Sequence, residues 1–260
     1  MQSLVTVPTV VEGLEALGVR PGATLLVHCS LSRFGHVQGG AQAVIEGLVR
    51  TVGSTGTLVM PAFSPGRFDP SEWRNPPVPE SLWDRIRFET PAFHPQKTPV
   101  DHTMSCVYEL FRTWHGAQRS AHPHSSFSAW GQHRDEVLNE HNLADRFGES
   151  SPLRRLYDLD AQVLFLGTGY DTCTCFHLAE YRQPDPPMRS YFMVDRGGEQ
   201  PVLGRYEDVD TNSSVFEALG MEFEARNAPA QHVIGEALCR LFSLRQAVEF
   251  AVSWLSSARH

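Results

Sequence analysis

Apolar positions fall into two kinds of pattern along the chain. In "PTVVEGLEALGVRPG", Val10, Val11, Leu14 and Leu17 recur at helical spacing, and Gly18 with Pro21 supplies the stop. "ATLLVHCS" and "GTLVMPAF" are continuous apolar runs that predict buried strands. Between them, "VQGGAQAVIEGLVRTVG" predicts a loop opening into a helix with Val44, Ile45, Leu48, Val49 and Val52 on one face. This succession predicts a βαβ crossover in a sheet covered on both faces. Short helices are expected at 80–88, 103–113 and 133–141, and "AHPHSSFSAWG" reads as turns. Ser151 and Pro152 form an N-cap and first helical position. "AQVLFLGTG" predicts another buried strand. Strands are expected at 190–195, 202–207 and 247–255, and an amphipathic helix over 231–243.

Residues 64–100 interrupt this regularity with eight prolines and two tryptophans. Disordered segments are poor in aromatics, so an ordered excursion is expected. It either walls a binding cleft or is a flap that only covers the core. The 260 residues carry no internal repeat and fit a single domain, 1–260. The N-terminus lacks a basic stretch followed by an apolar one, and no window reaches the roughly 18–20 apolar residues of a membrane span. A cytoplasmic protein with no membrane partner is expected. The formal charge of -8 argues against nucleic acid and is compatible with a cationic small molecule. Five scattered cysteines suit reduced thiols.

The chemistry concentrates in "DTCTCFHLAEYR", which follows the strand "AQVLFLGTG" at the kind of strand-to-helix junction where ligands gather. Three readings compete. Cys173, Cys175 and His177 offer soft metal ligands, but C-x-C followed by x-H matches structural zinc spacing poorly and no second pair follows. A thiol nucleophile needs a histidine in reach and a third group to orient it, which Cys175 with His177, or Cys106, would have to satisfy. In the third reading His177 is a general base, oriented by a carboxylate from "RYEDVDTN" (Glu207, Asp208 or Asp210). Against these stand the plain alternatives of buried thiols and a structural histidine. "HCSLSRFGHVQGGAQ" also joins a strand to a helix. Its glycines and serines suit phosphate binding, although it is neither a Walker A loop nor a dinucleotide fingerprint.

Together, "LLVHCSLSRFGHVQGGAQAVIEGL", "GTLVMPAFS", "DPSEWRNPPVPE", "FRTWHGAQRSAHPHSSFSAWG", "GESSPLRRLYDLDAQVLFLGTGYD" and "HLAEYR" resemble the aminoglycoside 3-N-acetyltransferase family, from about residue 8 to residue 255. The resemblance implies a three-layer α/β/α fold with a mixed central sheet, and acetyl transfer from acetyl-CoA to an amine with no metal. It assigns His177 as general base, with Asp208 as its acidic partner and Glu207 as the rival. It implies CoA contacts at Ser30, Leu31, Ser32, Arg33, Phe34, Gly35, His36 and Val37, and at Thr103, Ser105 and Ser126. Backbone N–H groups or Ser126 are the candidate oxyanion donors. Asp69, Asp171 and Glu180 are candidate contacts for an aminoglycoside or another polyamine. Other open readings are acylation of a different amine and a non-catalytic CoA- or zinc-binding protein. Monomer and homodimer are both compatible with the sequence. Cys173 and Cys175 stand where the family has Asn, Thr or Ser, which counts against catalytic thiols there.

Overall fold

The continuous apolar runs become the central strands. The computed structural model describes residues 4–64, 68–73, 76–195 and 202–258. In chain order the first half forms β1 (Leu4–Val5), α1 (Val7–Leu17), β2 (Thr24–Cys29), β3 (His36–Val37), α2 (Gly40–Val52), β4 (Thr57–Pro61), α3 (Trp83–Glu89), α4 (Cys106–Arg112), β5 (Gln118–Arg119) and β6 (Phe127–Gly131). The second half forms α5 (Arg134–Leu138), α6 (Pro152–Asp158), β7 (Gln162–Leu166), α7 (Phe176–Tyr181), β8 (Met188–Asp195), β9 (Val202–Val209), α8 (Phe216–Asn227), β10 (Ala230–Ile234), β11 (Ala237–Ser243) and α9 (Leu244–Ala258).

Seven strands form one sheet in the order β10-β11-β7-β2-β4-β6-β5. β2 is parallel to β4 and to β7, while the remaining pairs are antiparallel. The expected β2–α2–β4 crossover is present. Successive strand side chains point to opposite faces, and the two faces have separate cores. Leu25, Val27, Leu164 and Leu166 pack with α1, α2 and α4. Leu26, Val163 and Phe165 pack with helices α5 to α9. Two cores divided by one mixed sheet make the three-layer α/β/α architecture that the resemblance implies. Among the described residues no helix is long and apolar enough to cross a membrane.

Beside this sheet, β8 and β9 form a separate antiparallel hairpin. Tyr191, Met193 and Tyr206 of the hairpin pack with Phe68 and Leu143. The excursion after β4 docks here: the Asp69 N–H donates to the Phe192 carbonyl at 3.0 Å, and Arg189 pairs with Glu72 at 3.3 Å.

Three expectations are corrected. Residues 231–243 form the β10–β11 hairpin, which turns at Gly235-Glu236 with Gly235 at φ 64°. Ala237, Cys239 and Leu241 alternate into one core, a period of two that short apolar spacing disguised as a helix. Residues 247–255 lie in α9, not in a strand. Leu244, Ala247, Val248 and Ala251 are fully buried at i, i+3, i+4 and i+7, and this stripe outweighs the β-branched and aromatic content. Within the turn-like 121–131, Phe127–Gly131 is strand β6, paired along β4.

Candidate active site

β2, β4 and β7 are parallel, so their carboxyl ends open on one edge of the sheet, the position where open α/β sheets hold ligands. A cavity of about 880 Å³ lies there. Two exits from the sheet must pass closely to form it. Gly167, just after β7, has φ 71°, and a Cβ on it would lie 2.7 Å from the Arg33 Cβ and 3.3 Å from the Ser30 carbonyl oxygen. Glycine is the residue that tolerates both this conformation and this contact.

At one end, the loop after β2 contributes Ser30, Leu31, Ser32, Gly35, His36 and Val37 to the wall. Two of the expected contacts differ. Phe34 is fully buried in the apolar core, where an aromatic ring gains most, and Arg33 is exposed but outside the lining. Thr103 and Ser105 line the cavity at the start of α4, where the Ser105 hydroxyl caps the Val107 N–H. One turn along, Tyr108 also faces the cavity, and its Oη accepts the Cys29 N–H at 2.8 Å.

The other end holds His177, in the first turn of α7. His177 and Glu180 are three residues apart, which puts them on the same helix face. Nδ1 lies 2.6 Å from Glu180 Oε2, and Glu180 Oε1 accepts the Asn212 N–H at 2.7 Å. A carboxylate only accepts, so Nδ1 carries the proton of the neutral ring and Nε2 keeps its lone pair. No hydrogen bond to Nε2 occurs among the described residues. The ring is stacked on Phe147 with centroids 4.6 Å apart and is flanked by Phe216 at 4.8 Å. His177 and Phe216 both line the cavity, as do Asp171, Thr172 and Thr174.

This geometry corrects the pairing of His177 with Asp208. Asp208 is buried on β9 with both oxygens engaged elsewhere: Oδ2 accepts from the Arg146 backbone N–H and Nε, and Oδ1 accepts from the Tyr181 hydroxyl at 2.7 Å. Its partners lie near His177 in the chain, since Tyr181 belongs to α7 and Arg146 precedes the stacked Phe147. Glu207 is its neighbour on a strand and points the other way, exposed, to Arg205 and Ser190. Glu180, expected at the substrate, is instead the buried partner of His177.

Asp69 is also displaced from its expected role. It is 2% exposed and ion-paired to Arg87 of α3 at 2.8 Å, and none of the described residues of 64–100 lines the cavity. Ser126 is fully buried. Its Oγ donates to the Ala62 carbonyl at 2.7 Å and accepts from Arg119 Nε at 2.8 Å, so it has no proton for a ligand. Asp171 does reach the rim, where its backbone N–H donates to Glu217 at 3.2 Å. Cys173 and Cys175 are buried with their sulfurs 3.5 Å apart, and burial pushes the Cys173 thiol well above its ordinary range. Among the described residues no group of three or more His, Cys, Asp or Glu side chains is arranged to hold a metal ion.

Sequence reasoning missed the aromatic clamp of Phe147 and Phe216, which no local spacing announces. It also missed the role of Glu180, which the H-x-x-E spacing did carry. His28 and Tyr108 were passed over as well.

The family model described as aminoglycoside 3-N-acetyltransferase matches residues 26–256. The chain is 44% identical over 254 residues to the SPbeta prophage-derived aminoglycoside N(3')-acetyltransferase-like protein YokD of Bacillus subtilis, covering 96% of this chain and 92% of that one. The crystal structure of YokD matches with a TM-score of 0.95 at 42% identity, over 99% of this chain and 96% of that one. Aminoglycoside N(3)-acetyltransferase VIII of Streptomyces fradiae is 33% identical over 271 residues, 97% of this chain and 92% of its own. AAC-IIIb in its binary complex with CoASH matches with a TM-score of 0.87 at 27% identity, over 98% of both chains.

Proposed function

Because the chain belongs to the aminoglycoside 3-N-acetyltransferase family, a family of acyltransferases, we propose that it acetylates the 3-amino group of the 2-deoxystreptamine ring of aminoglycosides, with His177 as general base. Acetyl-CoA supplies the acetyl group, and resistance to the antibiotic is the consequence. The observation that carries this reading is the His177–Glu180 pair at 2.6 Å, opening onto the same cavity as the loop after β2.

Ser30, Ser32, His36, Thr103 and Ser105 line the end of that cavity suited to the CoA moiety. The amine reaches the other end, where Asp171 and Glu217 offer negative charge at the rim. Exposed charges of this kind contribute little singly and mainly favour encounter with a polycation. An ammonium has no lone pair, so the acceptor first gives one proton to solvent and reacts as the neutral amine, whose nitrogen must lose a second proton as it bonds to the thioester carbon. Nε2 of His177 takes that proton. Glu180 holds the ring in the tautomer that leaves Nε2 free and stabilises the imidazolium once formed. The carbon–sulfur bond then breaks, and the imidazolium returns the proton to the departing thiolate. The products are the N-acetylated amine and the free CoA thiol, with the histidine neutral again.

Incubation with acetyl-CoA and kanamycin-, gentamicin- and apramycin-type compounds, followed by mass spectrometry, tests the substrate: one added acetyl group is expected. Acetylation of other amines alone would redirect the reading to a different acyl acceptor. His177→Ala should lower turnover about 10²–10⁴-fold, while Cys175→Ala stays near wild type. An active His177→Ala enzyme would remove the mechanism, and an inactive Cys175→Ala enzyme would restore the thiol route.

A further inference from the structure

Acyl transfer also needs hydrogen-bond donors where negative charge develops on the carbonyl oxygen. Ser126, the side chain that the sequence offered beside backbone N–H groups, is fully engaged. Two other groups in the cavity wall are not, and both sit at the carboxyl end of β2. Tyr108 is 7% exposed, and its Oη is fixed by the Cys29 N–H at 2.8 Å. That bond uses the oxygen as acceptor and leaves its proton with no acceptor among the described residues. His28 is 2% exposed and set edge-on to Phe165 at 5.5 Å; its Nε2 is enclosed without a hydrogen-bond partner among the described residues, so Nδ1 is the nitrogen left to face a ligand.

We propose that Tyr108 and His28 are the donors to the thioester carbonyl oxygen, forming the oxyanion site of the transfer. The proposal rests on the acetyl-transfer reading above. As the amine nitrogen bonds to the carbonyl carbon, the π pair of the carbonyl moves onto oxygen. The Tyr108 O–H and the single N–H of neutral His28 bond to it there. The pair returns as the carbon–sulfur bond breaks, and neither donor gives up its proton.

The surroundings suit that role. The Tyr108 proton, enclosed without an acceptor among the described residues, gains one when the ligand oxygen arrives. Burial lowers His28 to about 3 and pushes the Tyr108 phenol above its ordinary range, so both stay neutral and protonated at working pH. A histidine this hard to protonate is unsuited to be the base, whereas His177 has a carboxylate to receive it. Two histidines in one cavity are divided into donor and base by their environments. The N–H bond into Tyr108 also polarises its O–H, strengthening the donor.

The test uses the full chain and acetyl-CoA labelled with ¹³C at the carbonyl. Bound to the wild type, the carbonyl resonance is expected to move downfield from its free position. Tyr108→Phe and His28→Leu should each abolish much of that displacement. They should also lower kcat about 10²–10³-fold with little change in the KM for acetyl-CoA, while His28→Asn, which keeps an N–H, should recover part of the loss. Thermal melting identifies a variant that has merely unfolded, and the two sites can be judged separately. Unchanged resonance and kcat in folded Tyr108→Phe and His28→Leu overturn the proposal alone. A wild type that binds acetyl-CoA but acetylates no aminoglycoside overturns the function, and the resonance still decides the donors. A wild type that binds no acetyl-CoA overturns both.

Discussion

Glu180→Gln is the substitution that tests the His177 geometry most directly. Glu180 has two oxygens and two obligations: Oε2 faces His177 Nδ1 at 2.6 Å, and Oε1 accepts the Asn212 N–H at 2.7 Å. A glutamine has one oxygen. If that oxygen stays with the Asn212 N–H, the amide NH₂ is turned toward Nδ1, and the ring must move its proton to Nε2. A protonated Nε2 cannot accept from the amine. If the amide is reversed instead, the backbone N–H of Asn212 meets an NH₂ and loses its acceptor, a charge-assisted bond worth about 1.5–3 kcal/mol. Either way the imidazolium loses its counter-charge. The expected loss is about 10²–10⁴ in kcat, measured as thiol release from acetyl-CoA with an accepted aminoglycoside. Glu180→Gln should be no better than Glu180→Ala, because the amide imposes the wrong tautomer rather than simply withdrawing a partner. A Glu180→Gln enzyme retaining most of the wild-type kcat would refute the tautomer argument.

Asp208→Asn leaves the Arg146 guanidinium enclosed without its carboxylate and should cost about 3–5 kcal/mol, read as a lower Tm. Well below the melt its kcat should fall less than that of Glu180→Gln, since Asp208 bonds to Tyr181 and Arg146 rather than to His177. Gly167→Ala places a Cβ at φ 71° and 2.7 Å from the Arg33 Cβ. It should cost at least about 1–2 kcal/mol and raise the KM for acetyl-CoA by displacing the 30–33 turn. Burial holds His28 at about 3, His141 at about 4 and His122 well below its ordinary value. Unfolding returns each to roughly 6.5, so between about 6.5 and 4 the unfolded chain binds protons that the folded one does not. Stability should therefore be complete above that window and fall as pH is lowered through it, by up to roughly 1.4 kcal/mol per pH unit for each histidine. Urea melts at pH 7 and pH 5 check the sign, and His141→Gln should flatten the slope.

Much of the fold was legible because β2, β4 and β7 are covered on both faces. Such strands must be apolar without interruption, and that signal is local. The edge of the sheet was not legible. β11 alternates, but with Phe242 turned to the second core its pattern passes for a helix, and α9 is rich enough in Val, Phe and Trp to pass for a strand. Pairing across the sheet decides both, and pairing is not a local property.

The site divides in the same way. His177 stood out through its motif, but its partner was sought some thirty residues on, while the carboxylate one helical turn away was assigned to substrate. Deciding between them requires the register of α7. If the segment is helical, Glu180 shares a face with His177, and Asp208 becomes free for Arg146, 62 residues distant in the chain. No spacing rule identifies that contact. Nor does residue type separate His177 from His28, which are the same side chain on the wall of one cavity. What separates them is that one ring has a carboxylate at 2.6 Å and the other is enclosed with an unpartnered nitrogen. The first offers an imidazolium a counter-charge beside it, and the second, by burial, disfavours the charged ring. Base and donor are therefore assigned by what surrounds each ring, and moving a carboxylate beside His28 should spoil it as a donor even with every other contact intact.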